Sequence, residues 1–142
     1  MRYFLFVLLF IFSTKSFSGE IDGKGLDCII KNSQQTYSQM FWFNNGRWAV
    51  VFYWEATDKV YPKETLGKHH SKYFTTHNTL TFNRLEIDNK LDRKTLKLKR
   101  YHKVYELDEV GACKVFVGFD TVKKKQAELI KAIEKSKREN KI

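Results

Sequence analysis

Four histidines, three tryptophans and a scatter of acids hold whatever chemistry this chain could do. His69, His70 and His77 fall within one short stretch, with His102 further on, and neutral imidazole is a common ligand for zinc and copper. Within a strand, adjacent His69 and His70 would point to opposite faces, so a shared ion requires an irregular loop there. No acid lies between Ser71 and Phe82 to complete such a set. The three are therefore weak metal candidates, and surface histidines are the plainer reading. Ser71 follows His70, but a nucleophile and its base are brought together in space rather than by adjacency. Glu86 and Asp88 would share a strand face about 7 Å apart, which a glycosidase pair would allow. Their neighbours Arg84 and Lys90 make a solvated charged face the simpler reading. The chain has no Gly-x-Ser-x-Gly elbow, no His-Glu-x-x-His and no Gly-rich phosphate loop. It predicts no catalytic residues, no cofactor and a non-enzymatic protein. A metal-dependent or hydrolytic enzyme using the His69/His70/His77 region is the alternative.

The aromatic residues are more suggestive. Phe41, Trp42, Phe43, Trp48, Phe52, Tyr53 and Trp54 crowd one segment, and they fall on both faces of its strands. In the plainer reading one face fills a barrel and the other packs under a helix. In the functional reading Trp42, Trp48, Tyr53 and Trp54 form an exposed strip that stacks on a saccharide, a lipid tail or a partner protein. Arg47, with Lys59 and Lys72, would give that strip a cationic rim.

The elements that must position these residues read mainly as strands. Leu26 to Ile30 is a first strand. Thr36–Phe43 and Arg47–Glu55 flank Asn44-Asn45-Gly46, the strongest short-range hairpin signal a sequence offers. Thr57–His70 reads as a loop with a short strand at Lys59–Tyr61, and it holds the single proline, Pro62. Tyr73–Phe82 returns to β-prone residues, Leu85 and Ile87 alternate with acids, and Asp88-Asn89-Lys90 turns the chain. Thr95–Lys99 alternates strictly, as a half-buried strand does. Val104–Leu107 reads as another short strand, Gly111 as its break, and Ala112–Phe119 as the last strand. Seven or eight short strands at regular spacing predict a small antiparallel β-barrel or sandwich. Asp120 is the expected N-cap of one amphipathic helix, from Thr121 to about Glu139, with Val122, Leu129, Ile130 and Ile133 on one stripe.

The chain begins with Met1-Arg2, the apolar run Tyr3–Phe12, and then small polar residues with Ser16 and Ser18 placed before Gly19. That is the layout of a secretory signal peptide over residues 1–18. The run is half the roughly 20 residues needed to span a bilayer, which argues against a permanent anchor. Residues 19–120 then form the β domain, and 121–142 a basic helix packed on it or extending from it. The net charge is +10, and eight basic against three acidic residues fall within Thr121–Ile142. Such a helix suits acidic partners, or simply a solvated face. Export argues against nucleic acid and favours an acidic envelope surface, a saccharide or a lipid. Cys28 and Cys113, the two cysteines of an exported chain, are expected to form one bridge across the domain.

The stretches Asp22-Gly23-Lys24-Gly25-Leu26-Asp27-Cys28 and Leu91-Asp92-Arg93-Lys94-Thr95-Leu96 carry a resemblance. The chain resembles the small exported proteins of marine Pelagibacter-type bacteria. These share a signal peptide, a Gly-Lys-x-Leu-x-Cys start, a Leu-Asp-Arg-Lys-Thr-Leu strand entry, a second Cys and a basic C-terminal helix. The resemblance implies export and a β body, and it implies no activity. On residue grounds, Asp92 and Thr95 are expected to bond nearby amides and shape a turn that projects Arg93 and Lys94.

Together these readings predict an exported, periplasmic or secreted β domain acting as a binding or envelope-associated module. Its ligand would meet the Trp42/Trp48/Trp54 hairpin. A second binding version is a periplasmic enzyme inhibitor, similar in architecture alone to lysozyme inhibitors. A structural envelope protein with every Trp buried is the remaining reading.

Overall fold

Asn45 (φ 54°) and Gly46 (φ 66°) both take the left-handed backbone that a two-residue hairpin turn demands. In the computed structural model, which describes residues 19–140, this turn joins β2 (Thr36–Asn44) to β3 (Arg47–Val50), as the sequence predicts. The leader read in residues 1–18 lies outside the described residues. On its other side β2 pairs with β1 (Lys24–Lys31). The remaining elements are β4 (Phe52–Trp54), β5 (Lys59–Tyr61), β6 (Phe74–Thr75), β7 (Thr79–Thr81), β8 (Ile87–Asp92), β9 (Lys97–His102), β10 (Leu107–Val117) and the helix α1 (Phe119–Glu139).

Eight strands make one antiparallel sheet in the order β3-β2-β1-β10-β9-β8-β7-β6, curled into a half-barrel, while β4 and β5 form a separate ribbon. The two edges of the sheet meet where Trp48 N donates to Ser71 O (3.0 Å) and Tyr73 N to Gly46 O (3.3 Å). Strands from opposite ends of the chain, β1 and β10, are neighbours, and their register sets Cys28 directly across from Cys113. The two are joined by a disulfide spanning 85 residues of sequence. The expected bridge is therefore present.

Alternation sorts the side chains of the sheet into two cores. Leu26, Cys28, Ile30, Phe41, Phe43, Phe82, Leu91 and Leu98 fill the concave side. Full burial of an aliphatic or phenyl side chain contributes about 1.5–3 kcal/mol, so this cluster dominates the stability of the domain. The convex side holds a second cluster of Met40, Trp42, Val51, Leu66 and Val122, with Phe116 and Phe119 packed against it. The helix covers this face. Gly25 makes that possible, because the Phe116 ring lies flat over it, with Cζ only 2.0 Å from where a Cβ would stand.

Several boundaries differ from the sequence reading. The Arg47–Glu55 run does not stay in one strand. Val51 turns inward, with its N–H bonded to Met40 O (2.8 Å), and β4 leaves the sheet to pair with β5. Asp88-Asn89-Lys90 lies inside β8 and does not turn the chain, since Asn89 is buried and its Nδ2 donates to Phe82 O (2.8 Å). The turn comes next, where Asp92 Oδ1 accepts from Lys94 N (2.8 Å) and Thr95 N (2.9 Å), as Asp92 was expected to do. Val104 is in the β9–β10 turn, not in a strand, and Glu106 closes that turn with φ 47°. Gly111 sits within β10 without breaking it, because it is paired on both sides, with Ile30 of β1 and Leu98 of β9, and an added Cβ would crowd those same side chains (3.3 and 3.2 Å). Asp120 is not the N-cap. Gly118 (φ 86°) occupies that position, and Asp120 in the first turn pairs with Lys123 (3.2 Å).

Candidate functional site

The three tryptophans of the hairpin segment part company. Trp42 is 1% exposed, beneath the helix, stacked on Phe116 (6.3 Å) and edge-on to Phe119 (5.3 Å). Its Nε1 donates to Glu64 O (2.8 Å), so the indole is fully satisfied and meets no ligand at the surface. Trp48 is 5% exposed and packs edge-on against Phe41 (6.0 Å) and Phe82 (5.2 Å) at the rim of the concave core. Trp54 is 52% exposed. The exposed strip thus reduces to Trp54 and its neighbour two residues back, Phe52, which is 44% exposed and shares its strand face.

Phe52 and Trp54 stand on one wall of a cleft of about 270 Å³. The β4–β5 ribbon builds that wall, with Phe52 stacked on Tyr61 at 5.1 Å and 18°. Pro62 extends it. The opposite wall is the seam where the two edges of the sheet meet, carrying Trp48, His69, His70 and Ser71, with Arg84 also lining the space. The aromatic segment and the first two histidines, far apart in sequence, therefore line one cavity.

Two groups at this seam lack partners. Trp48 Nε1 and His70 Nδ1 are both buried, and neither has a hydrogen-bond partner among the described residues. A buried donor left unpaired costs about 1–3 kcal/mol. Asn89 Oδ1 and Arg100 Nε lack a hydrogen-bond partner as well, and what sets the seam pair apart is that both of its residues line the cleft. Burial first, and then the charge of nearby His69, lower the His70 pKa below its ordinary 6.5. No Asp or Glu lines the cleft, and Arg84 forms no ion pair among the described residues, which leaves the site electropositive.

The other predicted residues are placed differently. Arg47 Nη1 donates to Lys68 O (3.2 Å) and His70 O (2.5 Å), so its guanidinium holds the histidine segment in position. Tyr53 points to the other face of β4, where its hydroxyl donates to Asp58, and that bond pushes its pKa up to about 12. His77 is exposed in the connection between β6 and β7. No group of three His, Cys, Asp or Glu placed to hold a metal ion occurs among the described residues. Glu86 and Asp88 are divided by the start of β8, and Asp88 pairs with Lys103 (3.1 Å).

A polar cluster that sequence reasoning did not identify lies at the other end of the concave face. Glu109, buried on β10, accepts from Tyr37 Oη (2.7 Å), Asn32 Nδ2 (2.8 Å) and His102 Nε2 (2.9 Å), and Arg100 Nε lies 3.5 Å away. Burial alone would raise the carboxyl, but these bonds and the Arg100 charge outweigh it and hold its pKa below 4.5. Burial first, then the bond to Glu109, push the Tyr37 phenol up to about 12. Three of the carboxylate's roughly four acceptor sites are taken by residues from elsewhere in the sheet, and the cluster ties β2 and β9 to β10. Its period-two signal, Tyr37/Gln39 facing Arg100/His102 and Glu109, becomes readable only once the strand register is known.

No family model, curated protein or solved structure matches the chain.

Proposed function

We propose that this protein is a non-enzymatic binding domain of the cell envelope, exported by its leader, whose ligand occupies the cleft between the β4–β5 ribbon and the sheet seam. One observation carries the reading. The exposed aromatic wall of Phe52 and Trp54 shares a cleft with Trp48 and His70, whose buried polar atoms lack partners. An apolar wall with a few convergent polar groups is the usual composition of a small-ligand site. The disulfide supports an oxidising compartment, where such a bridge forms and persists. The helix contributes separately. Its C-terminal turns are exposed and carry Lys131 and Arg138, with Lys135 and Lys137 paired to Glu139 (3.7 Å) and Glu55 (3.1 Å), a modestly basic surface suited to an acidic envelope face.

The test is tryptophan emission of the mature domain titrated with neutral sugars, acidic sugars, short fatty acids and aromatic acids. A ligand is expected to shift or quench emission in the wild type and not in Trp54→Ala, whose fold should be intact because the side chain is half exposed. Absence of any Trp54-dependent response across the panel would sink the reading.

A further inference from the structure

The chemistry of the cleft narrows its ligand, given that the cleft is the binding site. We infer that it takes a single saccharide ring bearing a carboxylate, a hexuronate. Four features converge on that class. The first is shape. Phe52 and Trp54 present exposed ring surface on one strand face, and the C–H face of a pyranose packs on such surfaces. The second is polarity on the facing wall. Trp48 Nε1 offers a buried donor and His70 Nδ1 a buried ring nitrogen, both unpartnered. A sugar hydroxyl both donates and accepts, and satisfies either. An acyl chain could offer neither atom a partner, whereas a sugar ring carries several hydroxyls.

The third feature is charge. Arg84 lines the cleft, is exposed, and has no carboxylate partner among the described residues, while exposed His69 lines it too. A guanidinium pairs a carboxylate bidentately, with planar geometry that neither a neutral sugar nor a single hydroxyl supplies. The fourth is size. About 270 Å³ is below the usual range for drug-sized ligands, which fits one ring with its ends open to solvent. Arg47 keeps this wall in place through the carbonyls of Lys68 and His70, and acts as a positioning residue without facing the ligand.

The experiment compares D-galacturonate with D-galactose by calorimetry and Trp emission on the mature, disulfide-bonded domain at low salt. The acidic sugar should bind at least ten-fold more tightly. Arg84→Gln should bring galacturonate affinity down to that of galactose, removing the preference, and Trp54→Ala should weaken both sugars. Equal affinities, or a preference that survives Arg84→Gln, would overturn the assignment of a carboxylate to Arg84. If both sugars fail while decanoate or benzoate gives a Trp54-dependent signal, the cleft is the site and the saccharide class is wrong. If no compound gives such a signal, the site itself is wrong.

Discussion

Gly25→Ala places a methyl group where Phe116 Cζ is 2.0 Å away and Cε1 and Cε2 are 2.5 Å away. Ordinary carbon contacts need about 3.5–4 Å, so the ring must retreat by roughly 1.5 Å or swing off the sheet. The backbone at Gly25 has no positive φ, so alanine is not strained by its conformation and the cost is steric alone. Overpacking of this kind costs about 1–3 kcal/mol, and loss of the Phe116–Trp42 stack adds about 0.5–1.5. The sum is about 2–4 kcal/mol, or roughly 1–2 M in urea midpoint at the slopes usual for small domains. Phe116→Ala is destabilising as well, but it removes the clash. The double variant should therefore be at least 1 kcal/mol more stable than the two single effects predict, well beyond the roughly 0.3–0.5 kcal/mol scatter of independent sites. Urea unfolding of the four proteins, followed by circular dichroism, gives the cycle. A midpoint for Gly25→Ala unchanged from wild type, or additive single effects, would refute a Gly25 site that exists to seat Phe116 and dock the helix.

Reducing the Cys28–Cys113 bridge, or replacing both residues by alanine, releases a closed loop of 85 residues and should cost about 4–5 kcal/mol in chain entropy; an unchanged urea midpoint with and without reductant would contradict it. Glu109→Ala leaves Arg100 buried without its counter-ion and should cost about 3–5 kcal/mol, while Glu109→Gln, which still accepts from Tyr37, should cost less. Acid should weaken the fold in two stages. His70 and Glu109 both have folded pKa values below their ordinary 6.5 and 4.5, so the unfolded chain binds more protons than the folded one once pH falls past each ordinary value. Stability is full above pH 6.5, begins to fall below it through His70, and falls further below pH 4.5 through Glu109. His70→Asn should remove the first stage and Glu109→Gln should shrink the second, to which Glu20 and Asp92, also held below their ordinary values, contribute, in urea midpoints measured between pH 8 and about 3.5.

The hairpin, the mainly antiparallel β class, the disulfide and the C-terminal helix were legible because each depends on local chemistry. Positive φ at Asn45-Gly46 needs those residue types, period-two alternation marks Leu98 in β9 although Thr95 and Leu96 (φ 55°) fall in the turn before it, and two cysteines allow one pairing. What was not legible depends on register. Asp88-Asn89-Lys90 has turn composition, yet Asn89 is buried in β8 because its amide finds Phe82 O across the sheet. Val104 and Tyr105 have strand propensity but are exposed in a turn, since β9 and β10 run out of partners there. The cleft was half visible. The sequence marked the aromatic segment and the histidines separately, but only the edge-to-edge seam through Ser71 and Trp48 joins them. Arg84, read as part of a charged strand face with Glu86, turns out to line the cleft instead.

The three indole N–H groups offer an internal control that no other probe gives. In a 15N-edited spectrum each tryptophan contributes one side-chain cross-peak, and the structure assigns three environments: Trp42 bonded to Glu64 O, Trp48 buried without a partner, and Trp54 half exposed. Titration with D-galacturonate should move the Trp48 and Trp54 peaks together, on one binding curve, and leave Trp42 fixed. A Trp42 peak that moves in step with the others would contradict a ligand site between the ribbon and the seam, and peaks that all stay in place would contradict galacturonate as its ligand.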